Sequence, residues 1–150
     1  MRIAIASDHA AFALKASLVP WLAEQGHEVV DLGTHGPESV DYPDYGAALA
    51  DEVASGRVAR GIALCGSGIG IAIAANRNPG CRCAQVAEPL SARLARSHND
   101  ANAIALGARL IGEEMARACI TAFLATDFEG GRHQHRVDKL AAPSFERISA

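Results

Sequence analysis

The stretch Arg60 to Arg77, RGIALCGSGIGIAIAANR, restricts the chain more than any other. Its short apolar run, Ile62-Ala63-Leu64, lies between Gly61 and Gly66 and reads as a buried strand. Cys65 stands at the carboxyl end of that strand. Gly66-Ser67-Gly68-Ile69-Gly70 follows, and Ile69 to Arg77 reads as a helix stopped by Asn78-Pro79-Gly80. Strand, glycine loop and helix in this order aim unpaired backbone N–H groups at an anion. A thiol near a helix N-terminus has its thiolate favoured, so it can act as base or nucleophile near neutral pH. The same residues also suit a plain tight turn beside a small buried cysteine.

The loop matches no standard phosphate motif. The dinucleotide fingerprint needs glycine at its first, third and sixth positions, and the sixth here is Ile71. A P-loop needs Gly-Lys-Ser/Thr, and no lysine follows. The nucleophile elbow needs glycine two residues before the serine, where this chain has Cys65. A cysteine phosphatase loop carries arginine six residues after its cysteine, where Ile71 stands again. Cations for an anion bound here must come from elsewhere in the chain.

At 150 residues the chain can bury one real core, and 49% hydrophobic residues make it globular. A net charge of −3 argues against nucleic acid or a membrane surface as partner. No apolar run approaches the ~20 residues that span a bilayer. The first residues, MRIAIA, are too short for a signal-peptide core. Cys65, Cys81, Cys83 and Cys119 form neither a metal pattern nor a disulfide framework, so a reducing cytoplasm is the expected compartment. His133 and His135 stand at HxH spacing with no third ligand nearby in sequence, so no metal site is expected.

Taken in order, residues 2–7 read as the first strand, and a helix from Phe12 to Gln25 carries Leu14, Leu18 and Leu22 on one stripe. Pro20 inside it predicts a bend. Glu28 to Leu32 is the second strand, Thr34 to Asp44 a loop, and Tyr45 to Ser55 a helix. After the central stretch come a strand at Cys81 to Val86 and a helix from Pro89 to Ser97, interrupted by His98-Asn99-Asp100. Cys81 and Cys83 point to one face and read as core. A strand at Ala103 to Gly107 follows. Then comes a helix from Gly112 to Thr126 with Met115, Cys119, Ala122 and Phe123 on one stripe. Gly130-Gly131 break the chain before a last helix, Gln134 to Leu140, and an irregular tail beyond Pro143. The alternation predicts one α/β domain over residues 1–150 with a parallel sheet and right-handed crossovers.

Ligands of such sheets bind beyond the carboxyl ends of the strands. The residues there are Asp8 and His9, then Cys65 to Gly70, and Arg109 after the fifth strand. They supply an acid, an imidazole, a thiol, a hydroxyl and a cation. Asp8 also suits an N-cap, and His98-Asn99 a helix C-cap. Arg132 and Arg136 stand i,i+4 and share a helix face, as a solvated face or as a pair of forked cations for a phosphate.

Several segments together resemble type B ribose-5-phosphate isomerase. They are Ser7-Asp8-His9 with Lys15, Asp41-Tyr42-Pro43, Cys65 to Gly70, Ala74-Ala75-Asn76, Ser97-His98-Asn99-Asp100, and Gly130-Gly131-Arg132-His133 closing on Arg136. The likeness covers nearly the whole chain in order. It implies a Rossmann-like three-layer α/β/α sandwich of five parallel strands with a C-terminal helix and no cofactor. It also implies a homodimer, or a dimer of dimers, with active sites at the subunit interface. Cys65 would move the proton between C1 and C2, and Ser67 with the N–H groups of Gly66, Gly68, Ile69 and Gly70 would hold the enediolate oxygen. His98 would open the furanose ring, with Asp8 helping to place the sugar hydroxyls. His9, Arg109, Arg132 and Arg136 would hold the phosphate, and Asn99 a sugar hydroxyl, with Tyr42 lining the site. Some relatives lack the cysteine and carry glutamate at the position of Ile71, so this chain is of the cysteine type. Ser67 stands where threonine is frequent, and either supplies the hydroxyl.

The resemblance agrees with the residues. Aldose–ketose isomerisation needs a base near neutral pH and an oxyanion site, with no redox cofactor. The alternatives are the same chemistry on allose 6-phosphate, galactose 6-phosphate or a tetrose phosphate, or a non-catalytic phosphosugar-binding module.

Overall fold

Each apolar strand of a parallel sheet has to be covered on both faces, and the helices between the strands do this. The computed structural model describes residues 1–141. Strands β1 (Arg2–Ser7), β2 (Glu28–Asp31), β3 (Arg60–Cys65), β4 (Cys83–Gln85) and β5 (Ala103–Gly107) form one parallel sheet in the order β2-β1-β3-β5-β4. The helices are α1 (Phe12–Glu24), α2 (Tyr42–Ala54), α3 (Ile69–Ala75), α4 (Pro89–Asn99), α5 (Glu113–Leu124) and α6 (Arg132–Ala141). Helices α1, α4 and α5 cover one face, and α2 and α3 the other. This is the expected three-layer α/β/α sandwich. Among the described residues no helix is long and apolar enough to cross a membrane.

The period of two along each strand sorts side chains by size as well as by face. Ile3, Ile5, Ile62, Leu64, Ile104 and Leu106 point to α1, α4 and α5. Ala4, Ala6, Ala63, Ala103 and Ala105 point to α2 and α3. The small face lets α2 and α3 come close to the sheet and to each other. A Cβ on Gly46 of α2 would stand 2.8 Å from the Ala74 Cβ and 2.9 Å from the Ile71 carbonyl oxygen of α3. At the sheet edge, buried Lys15 of α1 pairs with Asp31 of β2, whose carboxylate also accepts the Gly33 N–H at 2.9 Å. That pairing satisfies a charge the core could not otherwise hold.

The first strand and the α/β alternation stand as read from sequence, and several bounds differ. Helix α2 begins at Tyr42, not Tyr45, because Pro43 sits in its first turn, where a missing N–H costs nothing. Helix α1 runs through Pro20 to Glu24, and Pro20 lies on the exposed side, where water can satisfy the freed carbonyl. Strand β4 is Cys83–Gln85 rather than Cys81–Val86. Ahead of it the Arg82 N–H turns to the Asn102 side chain at 2.7 Å. Cys81 and Cys83 are buried, as their shared face implies. Helix α4 continues through His98 to Asn99 and ends on Asp100 at φ 46°, so His98-Asn99 form its last turn and do not interrupt it. In α5 the buried stripe is Ala116, Cys119, Ile120 and Phe123, while Met115 is exposed, one position off it. Helix α6 starts at Arg132 and holds both Arg132 and Arg136. The reading of an irregular tail beyond Pro143 lies outside the described residues.

The α2–α3 contact yields a stability test. Gly46→Ala gains up to about 1 kcal/mol of helix propensity but overpacks a backbone contact at about 1–3 kcal/mol. The Tm is expected to fall by several degrees in a thermal melt. Gly112→Ala, which meets nothing within 4 Å, serves as the control. An unchanged or raised Tm for Gly46→Ala would contradict the packing described.

Candidate active site

The carboxyl ends of β1 and β3 are adjacent, and the chain leaves them in opposite directions. The Asp8 N–H donates to the Leu64 carbonyl at 3.1 Å, joining the two exits. Asp8 Oδ1 accepts the N–H groups of Ala10 and Ala11 at 3.0 and 3.2 Å and caps a short 3-10 turn, His9–Ala11. Asp8 is therefore an N-cap and also lines the cleft above the sheet. Nδ1 of His9 lies 3.2 Å from both the nitrogen and the oxygen of Val40, which ties the ring to the segment before α2.

The glycine loop after β3 rests directly on the end of β5. A Cβ on Gly107 would fall 2.6 Å from the Ser67 carbonyl carbon and oxygen. A Cβ on Gly68 would fall 2.8 Å from the Leu106 carbonyl carbon, and its φ of 77° favours glycine independently. On its outer side the loop meets Tyr42, whose ring would be 2.7 Å from a Cβ on Gly70. The loop is thus fixed from below by β5 and from above by the first residue of α2.

This packing determines where the polar atoms go. The Gly68 N–H donates to Cys65 Sγ at 3.1 Å, and the Ile69 N–H donates to Ser67 Oγ at 3.2 Å. With its oxygen already accepting, the Ser67 hydroxyl can donate its own proton into the cleft. The N–H groups of Ser67 and Gly70 make no hydrogen bond among the described residues. Arg109 follows β5, tethered by its N–H to the Gly66 carbonyl at 3.0 Å, and lies across Gly66. The result is a cleft of about 590 Å³. Asp8, His9, Cys65, Gly66, Ser67 and Arg109 face it, with Tyr42, Ile69 and Gly70 on the α2–α3 side. Gly68 lies beneath, as the pivot of the loop. Ala10, Ile73 and Leu110 also line the cleft, beyond the residues that the strand ends indicate. Apolar residues in loops and on a helix face carry no chemical signal.

The structure does not bring His98, Asn99, Arg132 and Arg136 to this cleft within one chain. The Asn102 carbonyl, just past α4, accepts the Gly61 N–H at 2.9 Å, at the amino end of β3. Cys65 lies four residues further along that strand, about 13 Å at the usual rise. His98 and Asn99 are therefore at the opposite end of the sheet from Cys65. There α4 is finished by Asp100, whose carboxylate accepts Arg96 at 2.8 Å and Arg82 at 2.7 Å. The two guanidinium groups hold the left-handed residue that ends the helix.

Helix α6 packs on this end. The Glu129 N–H donates to the Ser97 carbonyl at 3.0 Å, and the His98 and His133 rings stack with centroids 4.3 Å apart and planes 9° from parallel. The sequence gives His133 no role of its own, and the structure buries it against His98. Its pKa is lowered, first by burial and then by the nearby positive charges of His98 and Arg132. Stacking between residues 35 apart in sequence leaves no local pattern to read.

The cysteines divide by environment. Burial pushes the Cys81 thiol up to about 11 and raises Cys83 and Cys119 as well. Burial favours the protonated, less reactive form of these three, while Cys65 lines the cleft with a donor at its sulfur. Iodoacetamide at pH 8 is expected to alkylate Cys65 well before the others, read by peptide mass spectrometry of the native protein. Equal labelling of Cys81 or Cys83 would contradict this division.

A family model described as Ribose/Galactose Isomerase matches residues 3–140. Ribose-5-phosphate isomerase B of Escherichia coli (strain K12) is 47% identical over 141 residues, covering 94% of this chain and 95% of that protein. The solved structure of Clostridium thermocellum ribose-5-phosphate isomerase B superposes with a TM-score of 0.93 at 48% identity, covering 94% of this chain and 95% of that one. The Thermotoga maritima enzyme gives 0.91 at 51% identity, covering 93% and 97%. Agreement at this level of identity along almost the entire length makes the chain a member of the Ribose/Galactose Isomerase family.

Proposed function

We propose that this protein interconverts ribose 5-phosphate and ribulose 5-phosphate, at a site built from two copies of the chain. The observation that carries the reading is the cleft at the carboxyl end of the sheet. There a thiol, a donating hydroxyl and two N–H groups unpaired among the described residues surround the same small volume, with Arg109 at the rim.

The chemistry follows from those groups. An imidazole is suited to open the furanose, removing the anomeric hydroxyl proton as a proton reaches the ring oxygen. His98 is assigned that step, with Asp8 holding sugar hydroxyls. The Cys65 thiolate then takes the C2 proton, and the electron pair moves toward the C1 oxygen to give an enediolate. Donors already aimed at that oxygen stabilise it without reorganising. Ser67 and the loop N–H groups are such donors. The C2 hydroxyl proton passes to the C1 oxygen, and return of the carbon-bound proton from Cys65 to C1 leaves C2 as the carbonyl of the ketose. No electrons leave the substrate, so no redox cofactor is needed. His9, Arg109, Arg132 and Arg136 are assigned to the phosphate, and Asn99 to a sugar hydroxyl. Binding energy from the phosphate can position the reacting carbons.

Two copies are required because the assigned residues fall at opposite ends of one sheet. A homodimer, alone or paired into a dimer of dimers, would bring the α4–α6 end of one copy to the Cys65 cleft of the other. Ile69 and Ile73 of α3 and Leu110 beside the cleft are exposed apolar side chains in keeping with such an interface. The substrate is a phosphorylated sugar; neither nucleic acid nor membrane is a partner, and the compartment is the cytoplasm.

The purified protein is expected to convert ribose 5-phosphate to ribulose 5-phosphate. Cys65→Ala should abolish turnover while sugar-phosphate binding, followed by calorimetry, persists. A variant with near-normal kcat would make Cys65 structural and refute the mechanism. Arg132→Ala and Arg136→Ala should each weaken substrate binding by roughly 1.5–3 kcal/mol, the worth of a hydrogen bond to a charged group. Unchanged KM in both would return the pair to a solvated face.

A further inference from the structure

Three side chains with metal-binding atoms converge at the amino end of the sheet, away from the cleft. His98 comes from the last turn of α4, Glu129 from the segment before Gly130-Gly131, and His133 from the first turn of α6. One ligand atom from each lies within 4.8 Å of the others. Glu129 Oε2 is 3.9 Å from His98 Nε2 and 3.8 Å from His133 Nε2, both too long for hydrogen bonds. His133 is 6% exposed, and its Nε2 is buried with no hydrogen-bond partner among the described residues. A buried ring nitrogen left unpaired is costly and calls for a ligand of its own.

We infer that His98, Glu129 and His133 form a reversible site for Zn²⁺ or a similar divalent cation, and that the bound ion inhibits the enzyme by occupying His98. Two imidazoles and a carboxylate suit zinc, whereas Mg²⁺ and Ca²⁺ favour oxygen ligands. Ligand atoms around tetrahedral zinc sit about 2.0–2.2 Å from the ion and so about 3.3–3.5 Å from each other. Each gap between Glu129 and a histidine then closes by about half an ångström. The stacked rings must also tilt, because two parallel planes cannot both contain one ion. Glu129 at 60% exposure and His98 at 36% have room to swing, while His133 is held in place. Three protein ligands leave a fourth position for water. The positive charges of Arg132 and Arg136 near His133 weaken the site, which makes occupancy dependent on free zinc rather than permanent.

Binding does not rest on the isomerase reading; only the inhibition does. The test is calorimetric titration of chelator-stripped protein with zinc chloride, without sugar. One ion per chain is expected. Glu129→Gln and His133→Gln should each weaken binding by about tenfold or more, and Cys65→Ser should not. Cobalt(II) on the wild-type protein gives a second readout, a tetrahedral visible spectrum with no sulfur-to-metal charge-transfer band. Zinc should also lower kcat/KM of the wild type, with a higher inhibition constant for Glu129→Gln. No binding at micromolar zinc, unchanged binding in both Gln variants, or a sulfur band lost in Cys65→Ser would each overturn the proposal.

Discussion

The site depends on one close approach: the loop Gly66–Gly70 lies on the backbone at the end of β5 with no side chain between them. Gly107 leaves 2.6 Å between a would-be Cβ and Ser67, and Gly68 leaves 2.8 Å to Leu106. A side chain at either position would lift the loop. Lifting it would move the Gly68 N–H from Cys65 Sγ and the Ile69 N–H from Ser67 Oγ, and displacements of about 1 Å in positioning groups can cost 10²-fold in rate. The glycines thus do more than relieve strain. They put a thiol, a hydroxyl and two backbone N–H groups at fixed positions at a strand end, where the parallel sheet leaves a crevice.

The same sheet separates the other candidate groups from that crevice. A helix that leads into a strand ends at the strand's amino end, so α4 carries His98 and Asn99 away from Cys65. Asp100, gripped by Arg82 and Arg96, fixes that end, and α6 closes over it with His133 stacked on His98. The proposed function makes these two groups half-sites on opposite ends of one scaffold. On that proposal, assembly of two copies joins them. This division also leaves His98 beside Glu129 and His133, where a cation could compete with its proposed catalytic role.

Much of this was legible in the sequence. The strand, glycine loop and helix around Cys65 could be read because glycine spacing and apolar runs are local signals. Asp8, His9 and Arg109 could be placed at the same rim because strand ends carry function in parallel sheets. The start of α2 was misread because proline signals a loop and a first helical turn equally well. Met115 was misread because the helical stripe in α5 admits a one-position shift that only packing decides. The position of His98 relative to Cys65 depends on topology, and its stacking on His133 depends on side chains that meet across the fold. Neither leaves a local pattern.

The central claim is that one active site takes residues from two chains. Cys65→Ala and His98→Asn proteins should each be nearly inactive alone on ribose 5-phosphate. Co-expressed or co-refolded in equal amounts, half of the dimers are mixed, and each mixed dimer regains one intact site. The mixture is expected to recover about a quarter of wild-type activity. A mixture no more active than its parents would contradict the shared site and the account built on it.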